Sequence, residues 1–128
     1  MTDVVWLGKP VPWKRTLGSG NRRYTHPTYR AWKDDFGWAA KQAHEGEPWG
    51  HPTSVWIRVT SDGIRARFTP LGTRVKYDPM LITVRPKGLR GDLDNYVKAI
   101  LDSVQGIVIE DDRLIVAIWA AFVPTIRT

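Results

Sequence analysis

The segment DLDNYVKAILDSVQG, in the last third of the chain, carries the clearest structural signal in the sequence. Its apolar residues recur at the spacing of an amphipathic helix, at Leu93, Tyr96, Val97, Ile100, Leu101 and Val104. Asp92 is a good N-cap for this helix, and Gly106 is a good residue to end it. Ile107–Ile109 and the apolar run Leu114–Val123 then predict two strands, with a polar turn between them. The run lacks alternation, so we expect both of its faces to be covered.

The preceding part of the chain predicts a strand at Val4–Leu7, a helix from Thr25 or Pro27 to Gly46, and strands at Ser54–Ser61 and Met80–Val84. Residues 62–78 show no pattern that we can assign. This order of elements predicts an α+β fold, as a single domain over residues 1–128 whose sheet carries two helices. The tryptophans expected in the core are Trp32, Trp38, Trp56 and Trp119. Trp13 lies among basic residues, where it is able to stack on an unpaired base.

Composition excludes several classes of protein. The chain has no cysteine, which rules out disulfide scaffolds, thiol nucleophiles and Cys-based metal sites. Its three histidines lack the close spacing of a zinc site. The longest apolar run is about half of the roughly 20 residues that span a bilayer, so no membrane is expected. The amino terminus lacks a signal-peptide layout, so we expect a cytoplasmic protein.

Charge is distributed unevenly along the chain, which has 19 basic and 13 acidic residues. Residues 1–33 contain seven basic residues and a single acid, Asp3. Residues 92–112 hold six of the acids, with Lys98 as the one base among them. This pattern fits a protein whose basic parts bind a polyanion and whose acids hold a divalent metal ion. The alternative is that the net charge of +6 serves solubility only.

The acidic segment contains two pairs of carboxylates. Asp92 and Asp94 stand at the start of the predicted helix, and Asp111 and Asp112 stand in the turn after it. The helix carries the chain away and an extended return recovers much of that distance, so the pairs are able to converge. Converging carboxylates repel one another, and a bound Mg²⁺ is the usual reason to tolerate them. Such an ion activates water and stabilises charge on a phosphate, which points to phosphodiester hydrolysis.

Simpler explanations exist for each of these residues. Asp92 is also an ordinary N-cap, and residues 110–112 are also an ordinary solvated turn. Lys98 lies one helical turn after Asp94, so its ammonium group reaches either that carboxylate or a scissile phosphate. Taken together, at these spacings and inside a basic chain, the residues favour a metal site.

The segment GDLDNYVKAILDSVQGIVIEDDRLI resembles the signature of the RusA family of Holliday junction resolvases, which phages and prophages often encode. The matching positions are Asp92-Leu93-Asp94-Asn95, Lys98, Leu101-Asp102 and Asp111-Asp112. The amino-terminal LGKPVPWKR also resembles the family's opening strand, its prolines and the basic residues that follow. The resemblance implies a mixed sheet with two helices per subunit and a homodimer that nicks opposite strands of a four-way DNA junction symmetrically.

By the same resemblance, Asp92, Asp94 and Asp112 are the essential carboxylates that bind Mg²⁺, or Mn²⁺ as the alternative ion. Asp111 is then an acidic neighbour in the metal site, and Lys98 is an assisting catalytic cation. The candidate DNA-binding residues are Lys9, Lys14, Arg15, Arg22 and Arg23. Two other functions stay open: a non-catalytic nucleic-acid-binding module, and a metal-dependent nuclease that prefers flaps, forks or RNA.

Overall fold

The structure, a computed structural model, describes residues 1–13, 26–73 and 83–126. Its strands are β1 (Thr2–Leu7), β2 (Thr53–Thr60), β3 (Gly63–Pro70) and β4 (Ile115–Phe122), and its helices are α1 (Pro27–Ala43) and α2 (Leu93–Val104). A short 3₁₀ turn at Asp112–Leu114 leads into β4. Neither of the helices in these ranges is long and apolar enough to cross a membrane.

The strands of the described residues form one mixed sheet in the order β1-β3-β2-β4. β3 pairs antiparallel with both β1 and β2, whereas β2 and β4 run parallel. A parallel pair needs a crossover connection, and α2 lies in the connection that leads to β4. The expected α+β fold, with a mixed sheet and two helices, is confirmed.

Both helices pack on one face of the sheet and enclose the core with it. The core residues of the two central strands alternate along the chain: Val55, Ile57, Val59, Ile64, Ala66 and Phe68. Phe36 of α1 and Ile100 of α2 are fully buried against them. Gly37 brings α1 close to the end of α2, because a Cβ atom there would lie 3.4 Å from Cδ1 of Ile107.

The opposite face of the sheet carries charged and aromatic side chains. Arg65 donates hydrogen bonds to both carboxylate oxygens of Asp3, at 3.2 and 2.8 Å. Arg67 Nε lies 3.5 Å from the same carboxylate, an ion-pair contact without hydrogen-bond geometry. Trp56 and Trp119 are partners in register across β2 and β4, with ring centroids 5.1 Å apart. These side chains point away from the core, so β3 is amphipathic.

The strand β3 lies in the region that has no assignable pattern in the sequence. Ile64, Ala66 and Phe68 face the core, while Arg65 and Arg67 face outward. This is the alternation of a half-buried strand, but one inward position is a small alanine and the segment is rich in arginine. Those two features obscure the pattern when the sequence is read without its fold.

Three other expectations need correction. The predicted strand Ile107–Ile109 is wrong, because the chain turns through Gly106 to Val108 and Ile109 joins its neighbours only by isolated bridges. Of the tryptophans expected in the core, Trp38 is 63% exposed, because it lies off the apolar stripe of α1, and Trp56 and Trp119 lie on the face of the sheet opposite the core. Of the predicted strand Met80–Val84, residues 80–82 lie outside the described residues, and Val84 only donates a backbone hydrogen bond to Phe122.

Among the described residues β4 is an edge strand, so the expectation that both of its faces are covered is not met by that part of the chain. Val116 is 55% exposed and Ile118 is 50% exposed, although both side chains are large and apolar. α2 covers only the later part of the strand, where Tyr96 contacts Phe122 with ring centroids 5.8 Å apart. The first half of β4 therefore presents an uncovered apolar edge.

Candidate active site

The first pair of predicted carboxylates, Asp92 and Asp94, lies at the amino end of α2. Asp92 occupies the N-cap position with extended backbone angles, yet its side chain makes no capping hydrogen bond. Both side chains are exposed, and within the described part of the chain neither has a hydrogen-bond or ion-pair partner. The structure therefore gives Asp92 no capping role, and it leaves both carboxylates available to a ligand.

Lys98 does not pair with Asp94, although the two residues are one helical turn apart on α2. Its ammonium nitrogen lies 4.5 Å from the centroid of the Trp13 ring, in a cation–π contact. The backbone N–H of Trp13 donates a hydrogen bond of 3.0 Å to the carbonyl of Asn95 in the first turn of the helix. The loop at residues 8–13, which follows β1, thus contacts the first turn of α2, where Asp94 also lies.

That loop is fitted closely against the residues that precede α2. A Cβ atom at Gly91 would lie 2.6 Å from Cβ of Pro12, so a residue other than glycine would push the loop away. The N–H of Gly91 donates to the Tyr96 hydroxyl at 3.3 Å. Between the loop and α2 lies a cleft of about 460 Å³ whose lining includes Lys9 and Arg90. Arg90 precedes Asp92 by two residues in the chain, so the cleft lies close to the start of α2, and its two cations are able to bind phosphate.

The second pair, Asp111 and Asp112, lies at the 3₁₀ turn before β4. Asp111 caps this turn, because its Oδ1 accepts a hydrogen bond of 3.0 Å from the backbone N–H of Arg113. That hydrogen bond is the main cause that lowers the pKa of Asp111. The pKa of Asp112 is raised by desolvation, by hydrogen bonding with Asp111 and by the charges of Asp111 and Asp102. Negative charge is crowded at Asp112, and a proton or a cation relieves it.

Asp102 belongs to the helix interface and is not part of the exposed carboxylate pairs. Its Oδ2 accepts a hydrogen bond of 2.8 Å from the Tyr29 hydroxyl and lies 3.2 Å from the Lys33 ammonium nitrogen. Burial and this carboxylate raise the pKa of Tyr29. Asp102 therefore ties α1 to the last turn of α2, and it adds a negative charge near Asp112.

Within one chain, the structure does not bring the two carboxylate pairs together. α2 has twelve residues and is about 18 Å long. The turn after it folds back at once, since Gly106 donates a hydrogen bond to Ile109, so Asp111 and Asp112 stay near the carboxyl end of the helix. Among the described residues, no three His, Asp or Glu side chains lie close enough to share a metal ion.

Each pair is nevertheless a suitable part of a magnesium site. Mg²⁺ is usually held by one or two carboxylates together with water and substrate phosphates, and each pair offers oxygens of that kind. Asp92 and Asp94 have no competing protein partner in the described ranges, and Asp112 lies in crowded negative charge. The donor set at both ends of α2 therefore fits the ion.

The predicted DNA-binding residues are only partly visible. Lys9 is exposed and lines the cleft, whereas the other four lie outside the described residues: Lys14, Arg15, Arg22 and Arg23. The sequence analysis did not single out Arg90, which lines the same cleft. The position of Arg90, two residues before Asp92, could have indicated it from the sequence. No sequence pattern indicates the contact between Trp13 and Lys98, because the two residues are far apart in the chain.

Comparison with known proteins gives one match. The model of the family described as endodeoxyribonuclease RusA matches residues 8–127. Neither the curated proteins nor the solved structures contain a match to this chain. The family match includes both carboxylate pairs, Lys98 and the loop that contacts it. Because it spans nearly the whole chain, this protein belongs to the RusA family of endodeoxyribonucleases.

Proposed function

We propose that this protein is a Mg²⁺-dependent endodeoxyribonuclease that resolves four-way DNA junctions by paired, symmetric nicks. The observation that carries the proposal is the pair of exposed carboxylates Asp92 and Asp94, which have no hydrogen-bond or ion-pair partner in the described residues. Arg90, two residues before Asp92 in the chain, lines a cleft together with Lys9. Membership of the RusA family supplies the class of reaction.

The residues have distinct roles in this proposal. Asp92, Asp94 and Asp112 hold Mg²⁺, with Mn²⁺ as a substitute, and Asp111 supports Asp112 from the capped turn. When bound, the ion supplies an activated water molecule and stabilises charge on the scissile phosphate. Lys98 provides a positive charge at the same edge, where it stabilises the charge that develops on the phosphate. Lys9 and the basic loop residues bind the phosphates on either side.

We further propose that the working unit is a homodimer. In one chain the two carboxylate pairs are about one helix length apart, whereas a two-fold related copy is able to place its Asp112 beside Asp92 and Asp94. The uncovered edge of β4, with Val116 and Ile118, offers apolar surface for such an interface. A two-fold dimer also matches the two strands that a junction presents for symmetric cleavage.

The test is a cleavage assay on purified protein at fixed salt concentration. The substrates are a four-way junction, a flap, a fork, an RNA hairpin and a linear duplex of the same sequence, each with Mg²⁺ or with a chelator. We expect symmetric nicks in two opposing strands of the junction, only when a divalent ion is present. Glu45→Gln is the matched control, because Glu45 is an exposed acid outside both carboxylate pairs.

Three other results would contradict the proposal in different ways. Metal-dependent cleavage that favours flaps, forks or RNA would support nuclease activity but contradict the four-way junction as the preferred substrate. Tight junction binding without cleavage under either ion would indicate a non-catalytic binding module. Cleavage that persists in the chelator would remove the metal from the mechanism.

A further inference from the structure

Lys98 has two neighbours that compete for its ammonium group. Asp94 is one helical turn away, at the spacing where exposed acid–base pairs form on helices. The structure instead places the ammonium nitrogen 4.5 Å from the centre of the Trp13 ring. An aromatic ring holds a cation at least as strongly as an exposed helical ion pair does, and tryptophan is the strongest of the rings. The ring therefore determines where the charge of Lys98 lies.

Trp13 is well anchored for this task. Its backbone N–H is bonded to Asn95, its half-buried ring packs against the core, and the preceding Pro12 fits against Gly91. These contacts attach the loop to the first turn of α2, which is also the turn that carries Asp94. The ring, the ammonium group and the carboxylate are therefore held on one piece of the structure.

We infer that Trp13 is a positioning residue that holds the Lys98 ammonium group away from Asp94. The inference rests on the proposed function. With Lys98 over the ring, the Asp94 carboxylate stays free for Mg²⁺ and the ammonium charge stays free for the scissile phosphate. Without the ring, Lys98 pairs with Asp94, competes with the metal ion and withdraws its charge from the substrate.

A double-mutant cycle distinguishes this positioning role from two other roles for Trp13, which are packing against the core and stacking on a DNA base. The variants are Trp13→Leu, Lys98→Met and the combination of both. We expect Trp13→Leu to lower kcat about two- to fivefold, the factor that corresponds to an exposed cation–π contact. In the Lys98→Met background the same change should have no further effect on kcat, and Trp13→Leu should leave junction affinity unchanged in both backgrounds.

Magnesium affinity gives a readout that needs no cleavage. Because the freed Lys98 competes for Asp94, Trp13→Leu should weaken Mg²⁺ binding in a titration followed by NMR. Adding Lys98→Met should restore it, which loss of packing alone would not do. In the wild type the ε-methylene protons of Lys98 should show an upfield ring-current shift, retained in part by Trp13→Phe and lost in Trp13→Leu.

Trp38→Leu is the matched control, because Lys41 lies 5.5 Å from the centre of that exposed ring on α1. The same substitution at the same type of contact should change neither cleavage nor Mg²⁺ affinity. The inference is overturned if Trp13→Leu slows cleavage equally in both Lys98 backgrounds, or if the second substitution does not restore Mg²⁺ binding. A fall in junction affinity would instead assign the Trp13 ring to base stacking. A wild type that binds Mg²⁺ as described but cleaves no DNA would contradict the proposed function and leave the positioning role intact.

Discussion

Asp92 and Asp112 lie near opposite ends of α2 in one chain, although both are expected to bind the same metal ion. Asp92 precedes the first residue of the helix. Asp112 lies close enough to Asp102, in the last turn of the helix, for the charge of Asp102 to raise the pKa of Asp112. The helix between them is about 18 Å long, far more than the reach of two aspartate side chains. A site that combines Asp92 with Asp112, as we propose, would therefore take the two carboxylates from two copies of the chain.

Replacing Asp112 separates catalysis from folding. We expect Asp112→Asn to abolish cleavage and to keep junction binding. The pKa of Asp112 is raised above 3.8, so the ionised carboxyl costs stability at pH 7 and costs none once the pH falls below 3.8. Asp112→Asn should therefore melt slightly higher than the wild type at pH 7 and equally at pH 3. A variant that still cleaves, or that melts clearly lower at pH 7, would argue for a structural role.

Replacing Asp92 tests the capping explanation directly. Replacing a residue whose side chain caps a helix by alanine lowers the free energy of unfolding by about 0.5–2 kcal/mol. The Asp92 side chain makes no such hydrogen bond, so we expect Asp92→Ala to change the free energy of unfolding by less than about 0.5 kcal/mol while cleavage is lost. Urea denaturation beside the junction assay measures both quantities. A loss of more than about 1 kcal/mol with activity retained would support the cap instead.

The sequence was sufficient for α2 and for the fold class, because periodicity and caps are local properties. It was insufficient for β3, where Ala66 and the flanking arginines hide a strand that only sheet pairing makes evident. It was also insufficient for the distance between the carboxylate pairs, which depends on the turn at Gly106. A slightly longer extended return would have carried Asp111 back toward the start of the helix.

The same limit applies to the other residues of the site. The spacing of Asp94 and Lys98 allows either an ion pair or a contact with the scissile phosphate, and the structure places the Lys98 ammonium group over the ring of Trp13 instead of beside Asp94. That ring comes from the amino-terminal loop, so no pattern within the helix indicates it. The apolar run that forms β4 was expected to be covered on both faces, and the exposure of Val116 and Ile118 shows that the described part of one chain does not cover it.

The five predicted DNA-binding residues are expected to set the salt dependence of DNA binding. The logarithm of the binding constant for a duplex falls linearly with the logarithm of the salt concentration. The slope is steeper by about 0.9 for each phosphate that the protein neutralises. Lys9→Ala should reduce that slope by about one, and neutralising the other predicted residues as well should flatten it further: Lys14, Arg15, Arg22 and Arg23. Lys41→Ala, an exposed lysine on α1, is the control and should leave the slope unchanged. An unchanged slope in the multiple variant would place the DNA elsewhere, along Arg65, Arg67, Arg74 and Lys76.

The ion pair between Asp3 and Arg65 should make stability depend on acid pH. Burial alone would raise the pKa of Asp3, but the hydrogen bonds of Arg65 and the positive charges of Arg65 and Arg67 outweigh it and hold that pKa below 3.8. The pair therefore stabilises the protein above pH 3.8, and this contribution is lost as the pH falls through the lowered value. Asp3→Asn should lower the free energy of unfolding by about 1 kcal/mol at pH 7, and by almost nothing at pH 2. Asp34→Asn, at an exposed position on α1, should show no such difference.

The most direct test of the account is to mix two inactive variants, Asp92→Asn and Asp112→Asn, by coexpression or by refolding together. If each metal site takes Asp92 from one subunit and Asp112 from its partner, a mixed dimer contains one intact site. The mixture should then nick one strand of a four-way junction, while each variant alone cuts nothing. In the reciprocal mixture, dimers of wild type with the double variant should have no intact site. An inactive first mixture, together with mixed dimers of wild type and double variant that still nick after separation from the wild-type dimers by a tag on each subunit, would place each site within a single chain and contradict the account.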